Sequence, residues 1–467
     1  MTVKFVGAAD TVTGSKHLII TDSGKQILLD CGLYQGMGKE TDPLNRNLIV
    51  NPEEIEAVIL SHAHIDHVGN LPYLVKQGFK GKIYCTEATL DVCEILLMDS
   101  AHIHENDIRF INKRRKKKGL ELINPLYTTK DAERCLKRFR SIPFNADFAI
   151  NSEISFRFSE VGHITGSAAI NITATENKKI TNLTFTGDVG RYTDMLLKAP
   201  QPFPQADYII CESTYGDRLH DAYVDAEAKL LNIVLNTCVE KKGKLIIPAF
   251  SLGRTQEVVF ALNKLKNKGL LPDIKIFVDS PLSTSATDIV RKHSECFNKD
   301  LQEYIKTDPD PFGFNNLKYI QDSAQSKALN HLDEPCIIIS ASGMCDAGRV
   351  KHHLMHCIGD KRNTVLMVGY CSPNTLGARL LRGEKEVHIY GEIFRVNLEI
   401  ESIHSYSAHG DYSELIRFLS CQDKKSVKNI FLVHGETAAK VSFKEKLLAE
   451  GYKHVSIPVK GEQYILE

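Results

Sequence analysis

The chain has 467 residues, with 58 basic and 58 acidic side chains, so its formal net charge at neutral pH is zero. This length exceeds what one hydrophobic core usually supports, and a content of 43% hydrophobic and 25% charged residues is ordinary for a soluble globular protein. The sequence has no apolar stretch long enough to span a bilayer. Because the net charge is zero, a basic surface that binds a polyanion can only be formed by a local cluster of basic residues.

The N-terminus and the cysteines indicate the compartment. Residues 1–5 lead directly into an apparent strand and lack the apolar core of a secretory signal. Twelve cysteines are scattered singly from Cys31 to Cys421, without a C-x-x-C pair. Free thiols in a reducing environment are the natural interpretation, so we expect a cytoplasmic protein.

Short strands broken by turns open the chain. Residues 3–6, 16–20 and 26–29 show the pattern of a β-meander. Asp30 stands at the end of the third strand, before Cys31 and Gly32. An aspartate in this place is typical of a turn, and its carboxylate can also accept hydrogen bonds from neighbouring side chains.

The next segment holds the densest set of potential metal ligands. Apolar residues 57–60 predict a short buried strand, and His62, His64, Asp66 and His67 follow it. Imidazole nitrogen and carboxylate oxygen are both good zinc ligands. In an extended loop His62 and His64 point the same way and can hold one ion, whereas Asp66 and His67 can reach a second. Four ligand-type residues directly after a buried strand disfavour the alternative, a histidine-rich surface turn.

A long helix is predicted at residues 86–118, because apolar residues recur there near the helical period. It ends in six consecutive basic residues at 113–118. Two interpretations of this stretch stay open. The cations either contact RNA or complement the helix dipole at an exposed helix end.

Two further ligand candidates stand at strand ends. His163 follows the strand-like residues 159–161, and Asp188 follows residues 183–186. A lone histidine in such a place is more often structural. Because strand ends converge in a folded sheet, however, both side chains can reach the site predicted around His62.

The pattern changes after residue 206. Continuous apolar strands alternate with helical segments, which is typical of βαβ units and a mostly parallel sheet covered on both faces. The strands are predicted at 208–211, 245–247, 274–278, 336–339 and 365–368.

Loops at the ends of these strands are rich in small residues. Backbone N–H groups in such loops can approach an anion, so together they predict a track for phosphates. The candidate contacts are Ser251, Arg254, Ser340, Ser342 and Gly343, and residues 279–282 and 369–377 lie at further strand ends.

The C-terminal segment returns to the first pattern. His409 lies within residues 405–412, before a short helix, and His434 follows the apolar strand 429–433. Glu212 follows the strand 208–211 in the same way. These three residues add two imidazoles and a carboxylate to the candidate site.

The spacing His62-x-His64-x-Asp66-His67 resembles the signature of the metallo-β-lactamase superfamily of binuclear metal hydrolases. The long α/β insert, Glu212, Ser-Ala-His409 and Val-His434-Gly-Glu resemble more specifically the β-CASP nucleases. That group contains the RNA-cleaving subunit of the eukaryotic cleavage and polyadenylation factor and the bacterial RNase J enzymes. The resemblance covers almost the whole chain.

This resemblance implies an α/β fold, in which a metallo-β-lactamase αββα sandwich is interrupted by an inserted β-CASP domain with a mostly parallel sheet. We expect the first part of the sandwich at residues 1–207, the insert at 208–395 and the return to the sandwich at 396–467.

The resemblance also implies a role for each site residue. His62, His64 and His163 would hold one zinc ion, Asp66, His67 and His434 a second, and Asp188 would bridge the two. Asp66, His409, Glu212 and Asp30 are the expected catalytic residues: His409 as the acid that protonates the leaving sugar oxygen, Glu212 holding it, and Asp30 orienting a ligand.

The implied activity is zinc-dependent hydrolysis of RNA phosphodiester bonds, endonucleolytic or from the 5′ end, by a hydroxide that the two metals activate. The histidine at 434 is the form that accompanies RNA substrates in this family. The expected partner is RNA, most readily single-stranded, with no membrane, and a homodimer is left open.

Two alternatives remain. The first is a hydrolase of the same superfamily that acts on a small ester, thioester or lactam, against which the long insert and His409 argue. The second is a non-catalytic RNA-binding scaffold subunit. Relatives of that kind typically lose metal ligands, whereas here every ligand position is filled.

Overall fold

The computed structural model describes residues 1–220, 224–369, 371–372, 374–403 and 407–467. They form two compact units. The first unit comprises Met1–Leu219 and His409–Glu467, and the second comprises His220–Ala408. These limits lie about a dozen residues beyond the domain boundaries expected at 207/208 and 395/396. The strand that begins at Tyr208 belongs to a sheet of the first unit, and the strand Glu399–Ser402 belongs to the sheet of the second.

One sheet of the first unit begins with the meander predicted from the sequence. Its strands are, in chain order, β1 (Thr2–Gly7), β2 (Lys16–Ile20), β3 (Gln26–Leu29), β4 (Ile55–Ile59), β5 (Lys82–Cys85), β6 (Phe139–Ser141) and β22 (Gln463–Ile465). They lie in the order β22-β1-β2-β3-β4-β5-β6. The pairs from β3 to β6 are parallel and the others antiparallel. The strand predicted before the ligand-rich segment is therefore β4.

The second sheet of this unit packs against the first. Its strands are β7 (Phe148–Ala149), β8 (Ile154–Glu160), β9 (Ala168–Glu176), β10 (Lys179–Phe185), β11 (Tyr208–Glu212), β20 (Asn429–Val433) and β21 (Val455–Ser456). They lie in the order β21-β20-β11-β10-β9-β8-β7, and the pairs from β10 to β21 are parallel.

Two apolar layers hold this unit together. Side chains from both sheets, such as Phe5, Phe156 and Phe431, form one core cluster. On the other face of the second sheet, Ile209 and Leu432 pack with side chains of two C-terminal helices. The strand β11 sends Tyr208 and Ile210 into the first cluster and Ile209 and Cys211 into the second. Burial on both faces explains why this strand is a continuous apolar run.

Helices flank the two sheets. They are α1 (Thr41–Arg46), α2 (Ile65–Val68), α3 (Leu71–Lys76), α4 (Glu87–Lys117), α5 (Thr129–Leu136), α13 (Tyr412–Leu419) and α14 (Thr437–Ala449), with a 3₁₀ turn at Gly38–Glu40. Thr86 caps α4, because its hydroxyl accepts a hydrogen bond from the Thr89 backbone. Among the helices that the structure describes, none combines the length and apolar character needed to cross a bilayer.

The second unit is an α/β domain, as predicted. Its main sheet has the order β14-β13-β15-β12-β16-β19, and every pair is parallel. The strands are β12 (Lys244–Pro248), β13 (Lys275–Val278), β14 (Leu317–Tyr319), β15 (Cys336–Ser340), β16 (Thr364–Met367) and β19 (Glu399–Ser402), with a separate hairpin of β17 (Glu386–Ile389) and β18 (Glu392–Arg395).

Helices connect the parallel strands of this unit. They are α6 (Val224–Val234), which continues as a π-helix at Leu235–Glu240, then α7 (Arg254–Asn267), α8 (Pro281–Lys292), α9 (Lys299–Tyr304), α10 (Ser323–Asn330), α11 (Val350–Cys357) and α12 (Leu376–Leu381), with a 3₁₀ turn at Ser294–Cys296. Predicted segments 369–377 and 405–412 extend in part outside the described residues, at Tyr370, Pro373, Ser405 and Tyr406.

Candidate metal centre

The predicted ligands meet where strands of the two sheets of the first unit end. His62 and His64 follow β4, and Asp66 and His67 lie in the short helix α2. The second sheet supplies three more residues just beyond strand ends: His163 after β8, Asp188 after β10 and His434 after β20. This convergence turns residues far apart in sequence into one cluster.

Three histidines and a carboxylate form the first group of potential ligands. The Nδ1 atom of His64 lies 3.1 Å from Nε2 of His62 and 3.1 Å from Nε2 of His163. Oδ2 of Asp188 is 3.4 Å from Nε2 of His62 and 3.6 Å from Nε2 of His163. All four ligand atoms lie within 4.8 Å of one another.

A second group lies beside the first. Nε2 of His434 is 3.2 Å from Nε2 of His67 and 3.4 Å from Oδ2 of Asp66. Oδ2 of Asp188 is 3.3 Å from Nε2 of His67, nearly the same distance as it is from His62. The Asp188 carboxylate thus stands between the two groups, where a bridging ligand would stand.

The cluster fits metal ions of zinc type. A zinc–nitrogen bond of about 2.0–2.1 Å and tetrahedral angles place two ligand nitrogens about 3.3 Å apart. The facing nitrogen atoms of these imidazoles lie 3.1 to 3.2 Å apart. Oδ1 of Asp188 is buried and accepts no hydrogen bond within the described part of the chain. A buried carboxylate oxygen without a donor is costly unless a cation satisfies it. We therefore describe this cluster as a metal-binding site.

Hydrogen bonds fix which nitrogen of each ring faces the cluster. Asp30 accepts from the Ser61 hydroxyl at 2.8 Å and from Nδ1 of His67 at 2.6 Å. Because the Ser61 hydroxyl donates to Asp30, it is an acceptor for Nδ1 of His62 at 3.0 Å. Both rings then direct Nε2 toward the cluster, the nitrogen that a metal ion would bind. Burial lowers the pKa of His67, but the Asp188 and Asp30 carboxylates more than offset this and raise it well above its ordinary value, so metal binding would displace a proton from this ring.

His434 is held in the same way by a different partner. The Thr214 hydroxyl donates to the His434 carbonyl at 3.0 Å and lies 3.0 Å from Nδ1 of that ring. Nδ1 is thus the donor, and Nε2 faces Asp66. Sequence reasoning predicted Asp30 as an orienting residue but missed Ser61 and Thr214. Ser61 stands beside the motif, whereas nothing in the sequence singles out Thr214.

The pKa values of His64 and Asp188 favour ligation. Burial lowers the pKa of His64 to about 4, even though Asp66 and Asp188 oppose this shift, so the imidazole is neutral. Burial alone would raise the pKa of Asp188, but His434, His67 and His62 hold it well below its ordinary range. The group therefore remains a carboxylate.

The backbone around α2 leaves no room for a side chain at Gly32. A Cβ atom there would lie 1.6 Å from the Asp66 carbonyl oxygen. Two hydrogen bonds explain the close approach: Cys31 N donates to His67 O at 2.7 Å, and Leu33 N donates to Ile65 O at 3.0 Å. The loop after β3 thus supports both the Asp30 carboxylate and the helix that carries two ligands.

His409 and Glu212 form a pair at the edge of the cluster. Glu212 is fully buried at the end of β11, and its Oε2 is 3.0 Å from Nδ1 of His409. Val189 N donates to the other carboxylate oxygen at 2.5 Å. Burial lowers the pKa of His409, but the Glu212 carboxylate more than offsets this and raises it to about 9. The imidazole is therefore protonated at neutral pH and in contact with the ring of His163, 4.4 Å away between centroids.

The predicted phosphate contacts lie together in the second unit. The parallel strands β12 and β15 pair directly, so their following loops share one edge of the sheet. Ser251 lies 3.4 Å from the Ser280 hydroxyl, Ser340 donates to the Asp279 carbonyl at 2.9 Å, and Ser342 accepts from Ala347 N at 3.3 Å.

Arg254 differs from these serines. It is buried and ion-paired with Glu257 on its own helix, so its charge is compensated within the unit. Gly343 lies close to the Phe250 ring. Sequence reasoning did not identify Arg349, which contacts the buried Asp279 carboxylate at 2.6 Å. Whether these loops hold phosphates stays a prediction.

Family profiles match this chain in three segments. The profile described as "Metallo-beta-lactamase superfamily" matches residues 13–214. The "Beta-Casp domain" profile matches residues 255–380, and the "Zn-dependent metallo-hydrolase RNA specificity domain" profile matches residues 393–458. The order of these three matches along the chain fits a first domain whose sequence is divided by an inserted domain.

Full-length similarity supports the same grouping. The chain is 32% identical over 445 residues to Ribonuclease TTHA0252 of Thermus thermophilus, covering 95% of this chain and 94% of that protein. It is 30% identical over 466 residues to Transcription termination factor FttA of Methanocaldococcus jannaschii, covering 98% and 70%. Cleavage and polyadenylation specificity factor 73 of Drosophila melanogaster is 29% identical over 443 residues, covering 93% and 60%.

Proposed function

Because the chain belongs to the β-CASP family of the metallo-β-lactamase superfamily, we propose that it is a zinc-dependent ribonuclease that hydrolyses RNA phosphodiester bonds. The observation that carries this proposal is one site that combines a complete metal-ligand cluster with the His409–Glu212 pair. The first feature fits any hydrolase of the superfamily, whereas the second fits a reaction whose leaving group needs a proton.

Two zinc ions are proposed for the cluster. His62, His64 and His163 would hold one ion, Asp66, His67 and His434 would hold the other, and Asp188 lies where it could serve both. His64 would bind through Nδ1 and the other histidines through Nε2, given the atoms that face each other. A zinc pair lowers the pKa of bound water and neutralises charge that develops at phosphorus.

The chain's own residues then provide positioning and proton transfer. Asp30 and Ser61 keep the His67 and His62 rings in the ligating tautomer. Glu212 accepts from Nδ1 of His409 and stabilises the imidazolium. His409 gives a proton from Nε2 to the departing ribose oxygen. The Asp66 carboxylate lies beside His434 and would be a ligand of the second ion.

RNA as the substrate draws support from relatives that are named as a ribonuclease and as a cleavage and polyadenylation factor. A single strand is the proposed form, because His62 and His67 are fully buried and a reacting phosphate has to approach closely. The serine-rich loops after β12 and β15 are proposed to hold other phosphates through backbone N–H groups. A cytoplasmic location is proposed, and a homodimer is left open as before.

The alternatives from the sequence are less well supported. A catalytically inactive scaffold has no need for seven ligand-type residues with oriented imidazoles. A hydrolase of a small ester or lactam has no need for a fully buried glutamate that holds a protonated histidine at the site.

The experiment that tests the proposal is a substrate panel for the zinc-loaded protein. RNA labelled at either end, the matching DNA, a thioester and a β-lactam are offered at equal concentration. We expect turnover of RNA above the others, and the two labels report whether cleavage is internal or starts at the 5′ end. Preferred turnover of the thioester or the lactam would replace this proposal with the first alternative.

The Asp30 carboxylate provides a test of the hydrogen-bond network behind the ligands. Asp30→Asn leaves the size of the side chain unchanged but removes the charged acceptor for Nδ1 of His67. Loss of such a partner typically lowers metal affinity by about 10- to 100-fold. Zinc affinity measured by chelator competition should fall by about this factor, whereas Asp42→Asn, an exposed change on α1, should leave it unchanged. An unaltered affinity in the Asp30 variant would limit this residue to turn formation.

A further inference from the structure

The last half of helix α4 lies apart from the core of its unit. The buried residues of α4 end at Ala101, and none of residues 102–117 is buried. Residues 119–124 fold back on this half, where Asn112 and Ile123 exchange two hydrogen bonds of 2.8 and 2.9 Å. We call residues 102–124 the α4 arm. Contacts within the arm thus support its shape, together with the hydrogen bond that Arg46 of α1 donates to the Asn124 carbonyl at 2.9 Å.

The α4 arm carries a charge that the chain as a whole does not have. It contains seven cations and three carboxylates, although the chain has a net charge of zero. The cations are Arg109, Lys113, Arg114, Arg115, Lys116, Lys117 and Lys118. Within the described residues none of the seven forms an ion pair, and six are exposed while Arg115 is half-buried. A helix dipole accounts for cations in the last turn only, which leaves Arg109 and Lys113 unexplained.

Exposed apolar side chains stand among these cations. Phe110 is 58% exposed, and the Arg114 guanidinium lies 4.4 Å from its ring centroid. Leu122 is 61% exposed on the segment that folds back. An aromatic ring set among cations is the combination by which single-stranded nucleic acids are bound: phosphates contact the cations and bases stack on the ring.

The arrangement distinguishes RNA from a membrane surface. Phe110, Arg114 and Lys117 are spaced four and three residues apart, so they lie in one row on one helix face. A helix that lies on a membrane separates its apolar face from its basic face. In the α4 arm the two kinds of side chain are interleaved.

The length of α4 gives the distance between the α4 arm and the metal centre. The Thr89 hydroxyl, in the first turn of α4, donates to the Gly166 carbonyl at 3.0 Å, in the loop that follows His163. At 1.5 Å per residue, Phe110 and Lys117 lie about 32 and 42 Å further along the helix. A stacked strand with about 3.4 Å per nucleotide covers this distance in roughly ten nucleotides.

We propose that the α4 arm is an RNA-docking surface, which binds phosphates and a base about ten nucleotides from the bond that is cleaved. This inference rests on the proposed ribonuclease function for the identity of the polyanion. It adds a second contact region on the first unit, beyond the metal centre.

The test compares two variants with a control of equal charge change. Variant one carries Lys113→Gln, Arg114→Gln, Lys116→Gln and Lys117→Gln, since glutamine keeps the helix propensity. Variant two is Phe110→Ser. The control carries Lys178→Gln, Lys179→Gln, Lys425→Gln and Lys453→Gln, which are exposed elsewhere on the same unit. Circular dichroism verifies that each protein is folded.

Binding is measured by fluorescence anisotropy with a 30-nucleotide and a four-nucleotide RNA, without added zinc, over a range of salt concentrations. For the longer RNA, the slope of log affinity against log salt should fall by about 3 in variant one, if four phosphate contacts are lost. Phe110→Ser should weaken this binding by roughly 5- to 100-fold, as loss of one base stack does. Binding of the short RNA should not change, and the control should match the wild type.

The outcomes separate this inference from the ribonuclease proposal. Cleavage of the four-nucleotide RNA by zinc-loaded protein tests the proposed function alone, because that RNA is too short to reach the arm. Wild-type salt dependence in variant one, or an equal loss in the control, would overturn the docking surface. Binding of variant one to anionic vesicles that is weaker than that of the wild type, with RNA binding unchanged, would assign the arm to a membrane instead.

Discussion

His409→Ala should reduce RNA cleavage by about a hundred- to ten-thousandfold, the usual contribution of a positioned general acid. A ribose alkoxide is a poor leaving group, so its departure requires a proton in the transition state. This factor corresponds to roughly 3 to 5 kcal/mol of activation barrier. His409 belongs to neither ligand group formed by His62 or His67 within the described residues, so both metals should be retained.

A second substrate identifies the role of His409. Bis-nitrophenyl phosphate releases a nitrophenolate that needs no proton, so the variant should keep most of its activity on this ester. Glu212→Gln should show the same selectivity with a smaller loss, because it weakens only the support of the imidazolium. His388→Ala, an exposed histidine of β17, is the control. Equal loss on both substrates with metal intact would make His409 a substrate-positioning or structural residue, and loss of metal would make it a ligand.

Asp188→Ala should remove metal and activity together. This carboxylate lies within 3.6 Å of nitrogens from four histidines, and its second oxygen has no donor in the described structure. Stabilisation by bound metal is worth several kcal/mol, so its loss should lower RNA cleavage by about a thousandfold or more.

Asp188→Ala should slow the hydrolysis of both RNA and bis-nitrophenyl phosphate, whereas His409→Ala should slow mainly that of RNA. Elemental analysis after dialysis should show fewer than two zinc ions per chain, while thermal unfolding of the metal-free proteins shows whether the variant is folded. Asp147→Ala changes an exposed aspartate beside β7 and should leave metal content and cleavage unchanged. Full metal content in the Asp188 variant would contradict a bridging position.

The fold and the strand ends that carry the candidate ligands were predictable because both leave local patterns in the sequence. The alternation of strands and helices after residue 206 predicted the parallel sheet, and the buried run before His62 predicted a strand end, as β4 confirms. The family resemblance grouped His67 with His434, which is 367 positions away, and the structure places the two rings side by side. The family grouping is confirmed by full-length similarity.

Other features of the fold and the site depend on contacts between distant parts of the chain, which the sequence of a single strand does not reveal. The apolar pattern of β11 fits either unit, and only its hydrogen bonds to β10 and β20 place it in the first. Thr214 orients His434 through a single hydroxyl and has no sequence signature. The burial of Arg254 against Glu257 likewise follows from packing around α7. Tertiary contacts of this kind leave no periodic pattern and no fixed residue spacing in the sequence.

Cleavage of RNA by this protein should depend on metal ions held by the cluster around Asp188. The most direct measurement is cleavage of end-labelled RNA by metal-free protein as zinc is added back in known amounts. We predict no cleavage without zinc and a rate that reaches its maximum near two equivalents per chain. Cleavage that is independent of zinc, or no cleavage at saturating zinc by folded protein, would show that this cluster is not the centre of a zinc-dependent ribonuclease.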